Sequence, residues 1–126
     1  MGTPVITLNN GLRIANMSSP HPFTFTTGEV LPECSAEEAN RLKLDAVEVE
    51  VPGIKGTIDI KLQFKMNKVV EDHLIELNNN EDIDIVLIPF PVLQCLREAN
   101  WALGKFRCIR VADRVTKAIF PDKFCI

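Results

Sequence analysis

His21 and the pair formed by Asp113 and Arg114 are the residues of this chain whose types could serve catalysis. His21 lies in a loop between two prolines, and Asp113 and Arg114 lie near the end of the sequence. An imidazole has an ordinary pKa near neutrality and can act as a general base. A guanidinium oriented by a carboxylate can bind an anion. Together these residues suggest a small hydrolase or transferase that acts on an anionic metabolite.

Each of these residues also has a plainer interpretation, which we favour. Nothing else near His21 marks its loop as catalytic, so it reads as a surface histidine. An aspartate at a turn bonds its own backbone, and an arginine covers apolar surface with its stem. The other histidine, His73, falls on the apolar side of a predicted helix, so a partly buried, hydrogen-bonded imidazole is expected there rather than a metal ligand.

Local motifs for cofactor, metal or nucleophile chemistry are absent from the sequence. It contains neither a glycine-rich phosphate loop nor a Gly-x-Ser-x-Gly elbow. The four cysteines are too far apart for a zinc or redox motif, and we expect reduced thiols. Cys95 and Cys108 lie in apolar stretches and read as small hydrophobic residues. We therefore expect no cofactor and no metal.

Charge is unevenly distributed along the chain. Residues 1–96 carry 7 basic and 14 acidic side chains, a net charge of −7, whereas residues 97–126 carry a net charge of +4. Arg110, Arg114 and Lys117 are therefore the candidate anion-binding residues. The net charge of −3 and the few aromatic residues disfavour nucleic acid. We favour a basic C-terminal strand that pairs with an acidic strand around Glu48 and Glu50, or that contacts a second subunit.

The first half of the chain is predicted to form strands and one helix. An Asn-Gly turn joins strands at 5–8 and 12–15, and a third strand is expected at 23–27. Ser35 and Glu38 form a capping box, which predicts a helix to about Leu44 with Ala39 and Leu42 facing inward. Further strands are expected at 47–51 and 57–66.

The segment 57–66 has the most regular pattern in the sequence. Five apolar residues alternate in it with polar ones: Ile58, Ile60, Leu62, Phe64 and Met66. Side chains on a strand point alternately to opposite faces, so this pattern predicts one buried and one solvated face. On the solvated face, the glutamates of the preceding strand are expected to meet Lys61 or Lys65.

The second half of the chain is predicted to form, in order, a helix, a strand, a second helix and two strands. Asn67 is expected to cap a helix that buries Val70, His73, Leu74 and Leu77. The apolar run 83–88 is typical of a strand buried on both faces, and Pro91 suits the first turn of a helix with Val92, Leu93 and Leu96 inward. The last strands are expected at 105–111 and 115–120. The helix between the strands at 83–88 and 105–111 allows these two strands to be parallel.

These patterns predict a single α+β domain over residues 1–126. Its sheet should be mixed and mostly antiparallel, with two or three helices on one face and a C-terminal strand–helix–strand unit. The apolar runs are too short for a membrane span, and no secretory signal is seen, so a cytoplasmic location is expected. The favoured function is non-enzymatic and acts through protein–protein or self-association, as a homo-oligomer or with a protein partner. The hydrolase or transferase is the alternative.

Overall fold

A five-stranded mixed sheet and three helices make up most of the fold. The computed structural model describes residues 4–18, 21–111 and 115–126. The strands are β1 (Val5–Thr7), β2 (Arg13–Asn16), β3 (Phe23–Thr24), β4 (Val30–Leu31), β5 (Asp45–Pro52), β6 (Ile58–Lys65), β7 (Ile85–Leu87), β8 (Phe106–Val111) and β9 (Ile119–Cys125), and the helices are α1 (Ala36–Asn40), α2 (Lys68–Asn78) and α3 (Phe90–Glu98). The main sheet has the order β1-β2-β7-β8-β9. Its central strand β7 is parallel to β2 and β8, and the outer pairs are antiparallel. The predicted mixed α and β architecture is confirmed.

The opening hairpin forms where the Asn-Gly turn predicts it. Gly11 has a φ of +87°, which a residue with a side chain rarely adopts, and its N–H donates to the Leu8 carbonyl at 2.9 Å. The Leu8 N–H donates to the Leu12 carbonyl at 2.8 Å, and this hydrogen bond closes the loop between the two strands. The turn residues therefore set the register of β1 against β2.

Helix α1 begins at the predicted cap but is shorter than expected. The Ser35 hydroxyl accepts a hydrogen bond from the Glu38 N–H at 3.2 Å. The helix ends at Asn40 instead of near Leu44. Leu42 is buried as expected, whereas Ala39 is exposed and Glu38 is buried in its place. The predicted inner face of α1 is thus wrong by one residue, which places a carboxylate inside the protein.

Helices α2 and α3 bury the residues that their spacing predicts. The Asn67 side chain accepts from the Val70 N–H at 3.0 Å and caps α2. The buried residues of α2 are Val70, His73, Leu74 and Leu77, and those of α3 are Val92, Leu93, Cys95 and Leu96. These buried residues recur at intervals of three and four, so they share one side of each helix.

Two groups of buried residues lie on opposite faces of the main sheet. The larger group joins helix residues such as Leu74 and Leu93 to Ala15, Val86 and Phe106 of the strands. The smaller group contains Ile14, Phe25, Leu31, Leu87 and Ile119. Neighbouring strand residues fall into different groups because successive side chains point to opposite faces. The helices therefore cover one face, and the β3–β4 hairpin covers part of the other.

Two predicted strands have different bounds in the structure. The strand expected at 23–27 pairs with β4 only over Phe23–Thr24, because the chain turns at Gly28 to form β4. The last strand begins at Ile119 instead of 115 and runs to Cys125. Its pairing with β8 contains an irregularity between Ile109 and Val111. The alternation of apolar residues locates these strands but does not show where pairing stops.

Strands β5 and β6 form a separate two-stranded ribbon. Within the described residues, neither strand pairs with the main sheet. The predicted pairing of a basic C-terminal strand with the strand around Glu48 and Glu50 is therefore wrong. Arg107 and Arg110 lie in β8 and Lys123 lies in β9, whereas β5 pairs with β6 alone.

An ion pair joins the beginnings of β2 and β7. The Arg13 guanidinium donates to both carboxylate oxygens of Asp84, at 3.1 Å and 2.9 Å, and the Arg13 N–H donates to the same carboxylate at 2.9 Å. These hydrogen bonds lower the pKa of Asp84 to about 2. The carboxylate thus supports the parallel pairing of the two strands in its charged form.

We expect Asp84→Asn to lower the melting temperature at neutral pH, since the amide loses the charge that Arg13 binds. In the unchanged protein, the contribution of Asp84 should be complete above pH 4 and should fall as the pH drops towards 2, because the unfolded carboxyl takes up its proton first. Thermal unfolding followed by circular dichroism over this range measures the effect. Asp82→Asn, at an exposed neighbour, is the control, and an equal loss in both variants would contradict the assignment.

Within the described part of the chain, no helix is both long enough and apolar enough to cross a membrane.

Candidate protein-docking ribbon

The register of the β5–β6 ribbon distributes its side chains in an unexpected way. Asp45 pairs with Lys65, Glu48 with Leu62, Glu50 with Ile60 and Pro52 with Ile58. Directly opposed residues point to the same face of an antiparallel pair. The apolar residues of β6 therefore share one face with Glu48 and Glu50 of β5.

The second face of the ribbon has the reverse composition. Here the valines of β5 lie opposite the polar residues of β6, with Val47 facing Gln63, Val49 facing Lys61 and Val51 facing Asp59. The glutamates and the lysines point to opposite faces. The predicted contacts between Glu48 or Glu50 and Lys61 or Lys65 are therefore wrong, and each face carries both apolar and charged side chains.

The apolar residues of β6 are exposed. Ile58, Ile60, Leu62 and Phe64 keep 61%, 52%, 55% and 45% of their surface accessible. The prediction that this face is buried is wrong, because the ribbon is not a layer of the main sheet. Four large apolar side chains in a row on one strand form the kind of patch that marks an interaction surface.

The outer edge of β6 presents backbone groups as well as side chains. The Gly53 N–H donates to the Thr57 carbonyl at 2.8 Å, so these two residues form a hydrogen-bonded pair at the turn. Such pairs alternate along an antiparallel ladder, so the odd-numbered residues of β6 bond to β5. The N–H and C=O groups of Ile58, Ile60 and Leu62 point away from β5, towards an edge that no described strand covers.

The two edges of the ribbon differ in how open they are to another strand. The outward groups of β5 belong to its even-numbered residues, which include Glu48, Glu50 and Pro52. Proline lacks an N–H group, and charged side chains discourage pairing at an edge. The β6 edge has no proline and has an apolar residue at each outward position. It is therefore the edge that is better suited to accept a strand.

Helix α3 limits the β6 edge at one end. The Cys95 thiol donates to the Phe64 carbonyl at 3.4 Å, which occupies the outward carbonyl of that residue. A groove of about 320 Å³ lies between β6 and α3, and Leu62, Lys65, Pro91, Gln94 and Glu98 contribute to its walls. The accessible part of the edge thus runs from Ile58 to Leu62 and opens into this groove.

The residues predicted for an anion site are only partly within the described chain. Asp113 and Arg114 lie outside it, and for Arg110 the structure describes the backbone in β8 alone. His21 and Lys117 are both exposed. The Thr26 N–H donates to the Ile119 carbonyl at 2.9 Å, which places the segments that follow His21 and Lys117 side by side. The hydrolase or transferase hypothesis stays a prediction.

A buried polar cluster joins α1 to α2. His73 Nε2 lies 3.8 Å from Glu38 Oε2, and His73 Nδ1 lies 4.0 Å from Glu76 Oε2. The Arg41 guanidinium is 3.5 Å from Glu38 and 3.8 Å from Glu76. His73 is buried more completely than predicted, and the predicted hydrogen bond is wrong, because neither ring nitrogen has a hydrogen bond to a described residue. Burial lowers the pKa of His73, so Arg41, rather than a protonated imidazole, balances the charge of Glu38 at neutral pH.

This cluster does not form a reaction site. The side chains of His73 and Glu38 are only 4% and 6% exposed, so a substrate in solvent does not reach them. Among the described residues, no group of three or more His, Cys, Asp or Glu side chains could hold a metal ion. The cluster is better explained as polar packing between two helices.

Three of the four cysteines are protonated thiols in the protein interior. Cys34, Cys95 and Cys108 are buried and unlinked, and Cys125 is partly exposed. Burial raises the pKa of Cys34 and Cys95 and raises that of Cys108 to about 11. A raised pKa leaves little thiolate at neutral pH, so these three residues do not act as nucleophiles. The prediction that Cys95 and Cys108 behave as small hydrophobic residues agrees with their burial.

The exposure of the ribbon cannot be predicted from the periodicity of β6 alone. The exposure depends on whether even-numbered residues of β6 pair with even-numbered or with odd-numbered residues of β5. The apolar residues of β5 have odd numbers, those of β6 have even numbers, and the observed pairs join even to even. Strands that pair in this way cannot present their apolar residues on a common face.

Comparisons with known proteins give no relative from which a site could be transferred. No family model matches the chain, and neither a curated protein nor a solved structure matches it.

Proposed function

We propose that this protein binds other protein chains through the β6 edge of its ribbon and that it has no enzymatic activity. The observation that carries the proposal is the combination, on one edge, of outward backbone groups and exposed apolar side chains at Ile58, Ile60 and Leu62. A strand that adds to such an edge gains main-chain hydrogen bonds, and alternate side chains provide specificity.

The charges beside the edge restrict which strands can bind. Asp59 and Lys61 lie between the apolar positions and point to the second face of the ribbon. Like charges directly opposite one another destabilise a strand pair, whereas opposite charges stabilise it. A partner strand therefore needs apolar residues on one face and complementary charges on the other.

The alternative remains an enzyme that uses His21, Asp113 and Arg114 on an anionic metabolite, with Arg110 and Lys117 as further binding residues. No contact in the described chain favours it over the ribbon. The cytoplasmic location and the homo-oligomeric state expected from the sequence are part of the proposal.

Site-specific photo-crosslinking tests this function. We expect a photoreactive residue at position 60 to form protein adducts in an extract of cells that produce the chain naturally, or with the purified chain itself. A photoreactive residue at the exposed Val69 of α2 is the control and should form none.

Leu62→Pro provides the decisive comparison. It removes one outward N–H group and leaves the bonds between β5 and β6, because those belong to odd-numbered residues. We expect the adducts from position 60 to disappear in this variant and to persist with Leu62→Ala. Adducts that persist with Leu62→Pro, or the absence of any adduct, would overturn the proposal.

A further inference from the structure

We infer that the strand accepted by the β6 edge is β6 of a second copy of this chain, paired antiparallel about a two-fold axis at Ile60. This inference rests on the proposed function and specifies its partner. It is carried by the self-complementary order of side chains in the accessible edge, from Ile58 to Leu62.

The backbone permits this pairing without any change in the ribbon. In a two-fold antiparallel pair centred on Ile60, Ile58 of one copy lies opposite Leu62 of the other. Both residues are even-numbered, and in each copy the even-numbered residues of β6 direct their N–H and C=O groups outward. Even-numbered residues therefore meet even-numbered residues, and each facing pair can exchange both backbone hydrogen bonds.

The charges support the same register. When Ile60 faces Ile60 of the second copy, Asp59 faces Lys61 of the second copy, and Lys61 faces its Asp59. Two opposite-charge pairs form on one face, and the apolar residues Ile58, Ile60 and Leu62 meet one another on the other face. Both types of cross-strand pair are stabilising.

The neighbouring registers fit less well. A pair centred on Lys61 would place two ammonium groups directly opposite each other, which is destabilising. A pair centred on Leu62 would place Ile60 opposite Phe64, whose outward carbonyl already accepts from Cys95. Of these registers, only the one centred on Ile60 pairs every residue from Ile58 to Leu62 with another residue of that same segment.

The groove beside α3 lies on the path of the chain that precedes β6 in the second copy. Continuing the register past Leu62 brings Thr57 and Gly56 of the second copy towards Gln63 and Phe64. These are small residues of the turn, and they approach where Pro91 and Gln94 of α3 form the wall of the groove. Helix α3, which limits the edge, is thus approached by the small turn residues of the second copy.

Sedimentation velocity over a series of protein concentrations tests the inference. We expect a monomer–dimer equilibrium for the unchanged chain. Asp59→Lys and Lys61→Asp should each weaken the dimer by about tenfold or more, because each converts two opposite-charge pairs into like-charge pairs. Asp72→Lys and Lys68→Asp, which make the same charge changes on α2, should leave the dimer unchanged.

Mixing the variants gives the sharpest result. The D59K chain and the K61D chain carry complementary charges, so a mixture should associate within about threefold of the unchanged chain, as should the double variant D59K/K61D. In a register centred on Lys61, only K61D would alter a facing charge pair, and in one centred on Leu62, only D59K would. An effect of both single substitutions therefore identifies the register centred on Ile60.

The outcomes separate this inference from the proposed function. An unchanged chain that is monomeric at all concentrations, or a mixture that associates no better than its components, would overturn the self-association. If position 60 still crosslinks to a different protein in extract, the edge binds a partner and only the second copy is excluded. If position 60 crosslinks to nothing, both proposals fail.

Discussion

Replacement of Leu74 by alanine is expected to lower the free energy of unfolding by about 2–5 kcal/mol, whereas the same replacement at Leu62 is expected to cost about 1 kcal/mol or less. Leu74 is fully buried between α2 and the main sheet, and its removal leaves a cavity. Leu62 is 55% exposed on the ribbon, so its truncation leaves no cavity. Both leucines fall at positions that sequence periodicity assigns to a buried face.

The measurement is urea unfolding followed by far-ultraviolet circular dichroism. It is made at protein concentrations at which sedimentation shows a monomer, so that association does not contribute to the stability of the ribbon. A loss of about 3 kcal/mol would be a large fraction of the total, since small domains are stable by only about 5–15 kcal/mol. Similar losses at Leu62 and Leu74 would mean that the ribbon is buried in solution, which would remove the basis for the docking edge.

The contrast between these two leucines shows what periodicity can and cannot predict. In α2, the residues at 70, 73, 74 and 77 share one side of a single helix. That side can be predicted from the local spacing alone, without knowing what packs against it. In β6, the alternation separates two faces equally well. Whether either face is covered depends on the register across the turn and on which sheet the strand joins, and both are non-local properties.

The turn between β5 and β6 contains the information that was missing. Lys55 has a φ of +52° and Gly56 a φ of +80°, and the Thr57 N–H donates to the Ile54 carbonyl at 3.1 Å. A turn shorter or longer by one residue would change the parity of pairing and would put the valines of β5 on the same face as Ile60 and Leu62. The sequence pattern of each strand would be identical in either case.

The surroundings of polar and charged side chains are harder to predict from the sequence than the surroundings of apolar ones. The capping box at Ser35 was predicted from the sequence, and its hydrogen bond is present. The side chain of the same Glu38, whose N–H donates to the Ser35 hydroxyl, is buried against His73 of α2. The anion site is predicted from isolated polar residues whose convergence depends on tertiary structure, and two of its five residues, Asp113 and Arg114, lie outside the described residues.

Acidification is expected to destabilise the protein through His73. Burial lowers the pKa of this imidazole, and the nearby positive charge of Arg41 lowers it further. The carboxylates of Glu38 and Glu76 oppose these effects but are weaker. The unfolded chain takes up a proton on this residue near pH 6.5, whereas the folded protein does so only at lower pH. The stabilising contribution is therefore complete above pH 6.5 and is lost as the pH falls below it.

Urea unfolding at intervals between pH 8 and pH 5 measures this dependence. The free energy of unfolding should fall below pH 6.5 with a slope of no more than about 1.4 kcal/mol per pH unit, the limit for one proton. His73→Gln should be less stable at pH 8, because the buried site is disturbed, but should lose this slope. His21→Gln, at the exposed histidine, is the control and should keep it. A slope that survives in His73→Gln would show that another group titrates, and one that vanishes in His21→Gln would assign the transition to the loop instead of to the contact between α1 and α2.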